Sequence, residues 1–269
     1  MPDLALDDIT LHYEIDGSGP PILLLAGMMG DNASWGALLR LLTPHFTVIR
    51  PDNRTTGQTT PWDAPVSVGQ MAEDAAALMR HLGHERYHVT GHSMGGLMAM
   101  ELSGLVGDAM ASLTILASAP VRIPRTMHVF DTLLAIRRAE GGETLWLNAL
   151  YPWAFRPAFF ENPQNAKMAV EAALAYPHAQ TVDAMAHQIE ALRNFRPRTR
   201  AGDIKTPTQV IFAAEDLMIP EAEGRQAFAA IEGVSQITLP DAGHSIHWDA
   251  PEAVAERVIA HAQAYTASG

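Results

Sequence analysis

The sequence predicts an α/β fold: a mostly parallel, doubly wound sheet that opens with an antiparallel hairpin and carries an inserted helical segment. Three observations lead there. Short apolar runs poor in charge alternate with helical patterns, the first residues alternate about a turn, and one long stretch is helical with no strand pattern. Continuous apolar strands between helices describe a parallel sheet covered on both faces. A length of 269 residues suits one such domain with an insertion.

The elements follow in order. "LALDDITLHYEI" alternates around Asp7 and Asp8 and reads as a hairpin. "PILLLA", "FTVIR", "RYHVT" and "SLTILAS" read as buried strands. Between them lie the helical patterns "SWGALLRLL" and "SVGQMAEDAAALMRHLG". The second has Ser67 and Gln70 at capping-box spacing and Gly83 as a stop. The rhythm breaks after Pro120. Residues 121–200 look helical and carry Trp146, Tyr151, Trp153, Phe155, Phe159 and Phe160. Strand pattern returns at "TQVIFAA" and "SQITLP", before the terminal helix "PEAVAERVIAHAQAY". The expected organisation is a core of residues 1–120 and 201–269, with 121–200 as a helical cap over one edge of the sheet.

Composition removes several function classes. The formal net charge is −12 and the Lys and Arg residues form no cluster, so nucleic acid is a poor partner. No apolar run approaches the roughly 18 residues that span a bilayer, and the acidic start "MPDLALDDIT" lacks signal-peptide character. There is no cysteine, which removes disulfides, thiolate metal sites and Cys nucleophiles together. The expectation is a cytoplasmic protein acting on a small molecule, without membrane partner or metal, its oligomeric state open.

The stretch "VTGHSMGGLMAM" carries the chemistry. "GHSMG" places Ser93 between Gly91 and Gly95, after the strand "RYHVT" and before the helix "GLMAMELSGLV". In that strand-turn-helix setting the serine is strained and its Oγ stands out at the top of the sheet, while side chains at the glycine positions would collide with the turn. The helix that begins there points its positive end at the hydroxyl. A serine needs a neighbouring base, and the last two strands are followed by "EDLMIP" and "DAGHSIHWDAPE", which supply an acid and a histidine. Loops at the carboxyl ends of adjacent parallel strands meet over one edge of the sheet.

With these residues the sequence resembles the α/β-hydrolase superfamily over essentially its whole length. Ser93 matches the nucleophile. Asp216 matches the acid, four residues before Pro220, and His244 matches the base ahead of Pro251 and Glu252. "LAGMMG" matches the oxyanion loop. The resemblance implies that His244 takes the proton of Ser93, that Asp216 fixes its tautomer, that the backbone N–H groups of Met28 and Met94 hold the oxyanion, and that no cofactor is required. Glu215 stands beside Asp216 as an alternative acid. His247 lies three residues after His244 and reads as a helix-start or pocket-wall residue. His92 reads as packed, and His81, His84 and His88 as surface residues. Trp153, after a turn at Tyr151-Pro152, is expected to wall the substrate pocket.

Two departures from the family pattern stand out. Ala26 precedes Gly27 where many relatives have His-Gly, and "PDNRTTGQTT" has Thr55 where Gly is usual. Asp52 and Arg54 in that loop read as a structural pair, with Arg54 as a contact for an anionic substrate the alternative. The loop and the segment from 150 to 216 are similar to 3-oxoadipate enol-lactonases and aminoacrylate hydrolases. The expected activity is cleavage of a carboxylic ester or lactone of a small to medium acyl compound. Carbon–carbon bond hydrolases, thioesterases, cofactor-free haloperoxidases and ligand-binding receptors share the pattern.

Overall fold

The computed structural model describes residues 3–266. Its single eight-stranded sheet runs β1-β2-β4-β3-β5-β6-β7-β8. Strands β1 (Asp3–Ala5) and β2 (Thr10–Gly17) form the antiparallel hairpin, with Leu4 opposite Leu11, and β2 also pairs antiparallel with β4 (Thr47–Pro51). Every other pairing is parallel: β4 with β3 (Pro21–Leu25), β3 with β5 (Tyr87–His92), then β6 (Met110–Leu116), β7 (Thr208–Ala213) and β8 (Ser235–Leu239). The chain leaves β3 for β4 on one side and returns to β5 on the other. This reversal of strand order opens a crevice at the strands' carboxyl ends, where ligands bind in open α/β sheets.

Period-two alternation sends neighbouring side chains to opposite layers. In β3, Leu23 and Leu25 join the apolar layer beneath α2 (Val68–His81) and α3 (Met94–Val106). Ile22 and Leu24 join the layer beneath α1 (Gly36–Leu42) and α10 (Pro251–Ala264). Both faces are covered, which is why β3 carries no charge. Ser67 caps α2 by accepting from Gln70 N at 3.1 Å, and Gly83 ends that segment at φ +72°. His88 corrects the surface assignment: it is buried in β5, 2.9 Å from Ser112 Oγ, because a doubly covered strand has no solvent face.

Between β6 and β7 the chain forms α4 (Pro124–Arg138), α5 (Gly142–Ala154), α6 (Pro163–Ala175) and α7 (Val182–Asn194), and α8 (Glu221–Phe228) joins β7 to β8. This insert has its own apolar cluster around Phe130, Leu133, Met185 and Ile189, which packs on Met218 and against Met28 and Met29 of the core. No helix among the described residues is long and apolar enough to cross a membrane.

Candidate active site

Ser93 sits between β5 and α3 at φ 53°, ψ −119°, a conformation that costs a non-glycine residue about 1–3 kcal/mol. The surroundings hold it there. Its N–H donates to Leu116 O at 3.0 Å and its carbonyl accepts from Gly96 N at 2.9 Å. A Cβ at Gly91 would stand 2.2 Å from Gly95 O, and one at Gly95 would stand 1.9 Å from Leu25 O. The two glycines therefore let β5, α3 and the end of β3 approach closely enough for the turn to form.

The loop after β7 places Asp216. Its Oδ1 accepts from the N–H groups of Met218 (2.7 Å) and Ile219 (3.0 Å), which leaves Oδ2 free to face the next loop. Glu215 N–H donates to Ala242 O at 3.0 Å, tying this loop to the one after β8. There His244 is buried, with Nδ1 2.9 Å from Asp216 Oδ2 and Nε2 2.9 Å from Ser93 Oγ. Of the two neighbouring carboxylates it is Asp216, not Glu215, that meets the imidazole. An imidazole so placed can accept a hydroxyl proton while the carboxylate holds its other N–H.

Further bonds fix the histidine loop. Ser245 N–H donates to Ala154 O at 2.6 Å, at the end of α5. The half-buried Asp249 carboxylate accepts from Gly243 N and Arg156 N through one oxygen; desolvation raises its pKa. Asp249 was not singled out in the sequence, where it is one more acidic residue ahead of Pro251.

Met28 and Met94 flank Ser93 on two sides. Met94 is the first residue of α3, so its N–H has no helical acceptor. Among the described residues Met28 N–H donates to nothing, whereas Met29 N–H, one residue on, donates to Gln188 Oε1 at 2.8 Å. Gln188 comes from α7, is fully buried, and donates through Nε2 to Arg54 O at 3.1 Å. Ala26, the departure before Gly27, contributes its carbonyl, which accepts from Asn53 Nδ2 at 2.9 Å.

Two cavities reach Ser93. One of about 590 Å³ runs past Ser118, Ile123, Phe130 and Phe195 towards Arg122 and Arg196. The other, about 220 Å³, is lined by Met28 and Met29 and, from α5, by Leu150 and Ala154. Trp153 and His247 line neither, against expectation. The helix continues through Pro152 to Ala154, so no turn forms. Positions 150 and 154 share the face towards Ser93, and Trp153 packs in the insert's cluster with Arg125 stacked 5.9 Å from its ring. His247, in the short helix α9 (Ile246–Asp249), is buried between Trp35 and His92.

Asp52 and Arg54 do not pair with each other. Asp52 accepts from Asn32 and Gln58. Arg54 is enclosed by Asp8 and Asp74, with Nε 2.6 Å from Asp74 and Nη1 2.6 Å from Asp8. These bonds hold the guanidinium charged, its pKa raised, and engage Nε and both Nη atoms, leaving nothing for a substrate. Thr55 adopts φ 70°, the conformation for which glycine is usual.

Comparison with known proteins identifies the family and the fold. A family model described as the alpha/beta hydrolase family matches residues 22–257. A protein named carbamate hydrolase RutD from Azorhizobium caulinodans is 32% identical over 225 residues, covering 82% of each chain. Among solved structures, the enol-lactonase of Burkholderia xenovorans LB400 superposes with a TM-score of 0.84 at 27% identity, over 97% of this chain and 100% of its own. A thermophilic esterase from Thermogutta terrifontis shares the fold, with a TM-score of 0.84 at 24% identity over 99% and 100% of the two chains.

Proposed function

The chain belongs to the α/β-hydrolase family, and from that premise we propose that it is a serine hydrolase cleaving a carboxylic ester or lactone of a small to medium acyl compound. One observation carries the reading: the unbroken run of hydrogen bonds from Ser93 Oγ through His244 to Asp216, 2.9 Å at each step.

Ser93 Oγ attacks the carbonyl carbon as its proton passes to His244 Nε2. Asp216 accepts from His244 Nδ1–H and stabilises the imidazolium. The N–H groups of Met28 and Met94 receive the oxyanion; such donors are usually the largest single contribution in sites of this kind. The intermediate collapses, and the leaving oxygen takes the proton from His244. Water, activated by His244, then attacks the acyl-enzyme and releases the acid and Ser93. In this reading residues 121–200 are the cap, supplying apolar walls while residues 1–120 and 201–269 supply the chemistry. The substrate is a small molecule and the protein acts in the cytoplasm.

A second reading, a substrate carrying its own carboxylate, draws on Arg122 and Arg196. Both line the larger cavity, and neither pairs with a carboxylate among the described residues.

The test is a panel of p-nitrophenyl esters, lactones and small carbamates, run beside fluorophosphonate labelling with mass mapping. The expected result is turnover of an ester or lactone, with one adduct on Ser93 that disappears in S93A. Turnover unchanged in S93A would overturn the reading. The second reading adds that R122Q with R196Q raises KM for carboxylate-bearing substrates alone.

A further inference from the structure

Below the reacting groups four rings form a column. His92 lies 5.1 Å from His244 between ring centroids, His247 4.4 Å from His92, and Trp35 5.1 Å from His247. All four are buried. His92 is the last residue of β5, so the alternation that lifts Ser93 towards the cavity turns the His92 ring inward.

The ring of His92 touches two other loops. Its Nε2 lies 2.8 Å from the carbonyl oxygen of His244. A carbonyl only accepts, so the proton is on Nε2 and Nδ1 is bare. That bare nitrogen faces Gly27, where an added Cβ would stand 3.0 Å from it. The residue before the serine thus holds the main chain of the histidine loop and supports the turn that leads to Met28.

We propose that His92 is a positioning residue: a single uncharged imidazole that sets the His244 main chain and the Gly27–Met28 turn relative to Ser93. The inference rests on the serine-hydrolase reading above. Burial lowers the His92 pKa to about 3, and His244 pushes it the same way. Neutrality matters to the reaction. A charged His92 would stand against the imidazolium formed on His244 and draw on the negative charge of Asp216. An uncharged donor at this point holds the carbonyl without competing. Loss of the donor leaves the His244 carbonyl buried and unpaired, and the loop then moves to find a partner. A displacement of about 1 Å between reacting groups costs on the order of 10²-fold in rate.

The pair H92Q and H92M separates donor from bulk. The two side chains are similar in length, and Gln carries an Nε2 donor where histidine carries its own. Measured quantities are kcat and KM for p-nitrophenyl acetate, the fluorophosphonate labelling rate and Tm. H92M is expected to lower kcat and labelling on the order of 10²-fold with KM within about twofold, while H92Q recovers to within about tenfold of wild type. Equal kcat and labelling in the two variants would overturn the proposal. If H92M does not fold, H92N replaces it, its amide too short to reach the carbonyl, with the same two outcomes. S93A assayed alongside keeps the claims apart. Turnover surviving in S93A defeats the serine-hydrolase reading itself, whereas an inactive S93A beside a fully active H92M defeats only the role of His92.

Discussion

The two regions that meet over Ser93 are held by different means. At the ends of β3, β5, β7 and β8 the backbone itself is constrained. Gly95 is pressed to 1.9 Å between its would-be Cβ and Leu25 O, Ser93 is strained, and Asp216 is fixed by two main-chain donors. The insert meets the smaller cavity through apolar side chains, Phe130, Leu150 and Ala154, and the larger one also through Arg122 and Arg196. It is tied to the histidine loop by a backbone bond, Ser245 N–H to Ala154 O, and by Arg156 N–H to the Asp249 carboxylate; the first survives any side-chain change. In the proposed reading the core region fixes where bonds break, and the insert fixes how much molecule fits.

The largest effect that tests this division lies at the core. S93A and H244A are each expected to lower kcat by on the order of 10⁶-fold, and the double variant no further, because the groups act as one unit. D216N should cost about 10⁴-fold. Initial rates on a p-nitrophenyl ester decide; losses that multiply would break the unit. Next comes the backbone. G95A is expected to lower Tm by on the order of 10 °C or to prevent folding, since neither Leu25 O nor the turn can yield about an ångström cheaply. Calorimetry measures it, and a near-native Tm would mean that the turn is looser than its contacts indicate.

Smaller effects belong to the insert. L150A should widen the smaller cavity and shift the ratio of kcat/KM between acetate and hexanoate esters by about tenfold. W153A should move that ratio less than about threefold while lowering Tm, because its ring packs within the insert. The reverse pattern would restore Trp153 to the pocket wall. The mildest test is acid titration of stability. His92 is depressed to about 3, His88 to about 4 and His247 well below its ordinary value, each chiefly by burial. The unfolded chain binds protons at these sites below about pH 6.5 and the folded chain does not, so stability is complete above that pH and declines as pH falls towards 3–4. At pH 5 His92 alone accounts for a loss of about 2 kcal/mol. Denaturant midpoints at pH 5 and 7.5 report it, and H92Q should show a smaller difference.

Much of the core was legible in the sequence because close approach and burial leave compositional marks. The strands showed as apolar runs poor in charge, the turn at Ser93 through its glycines, and the acid and histidine by their place after the last two strands. His88 was misread because its polarity suggests a surface, and only the covering of both faces buries it. Trp153 was aimed wrongly because Pro152 suggests a turn, yet proline is accommodated in the last turn of α5. The bond from His92 to His244, 152 residues apart, leaves no pattern along the chain. Neither does the contact of Gln188 with Met29.

That glutamine couples two events that are separable in a simple flap. Gln188 reaches from α7 to the amide of Met29 and, through its other end, to the carbonyl of Arg54. Any swing that lifts α7 from the core breaks both bonds and frees the turn that carries Met28. Under the serine-hydrolase reading, lifting α7 and releasing the turn would then be one event rather than two. Deuterium uptake at the Met29 amide counts each release, and Q188A should speed it while leaving exchange in β5 unchanged.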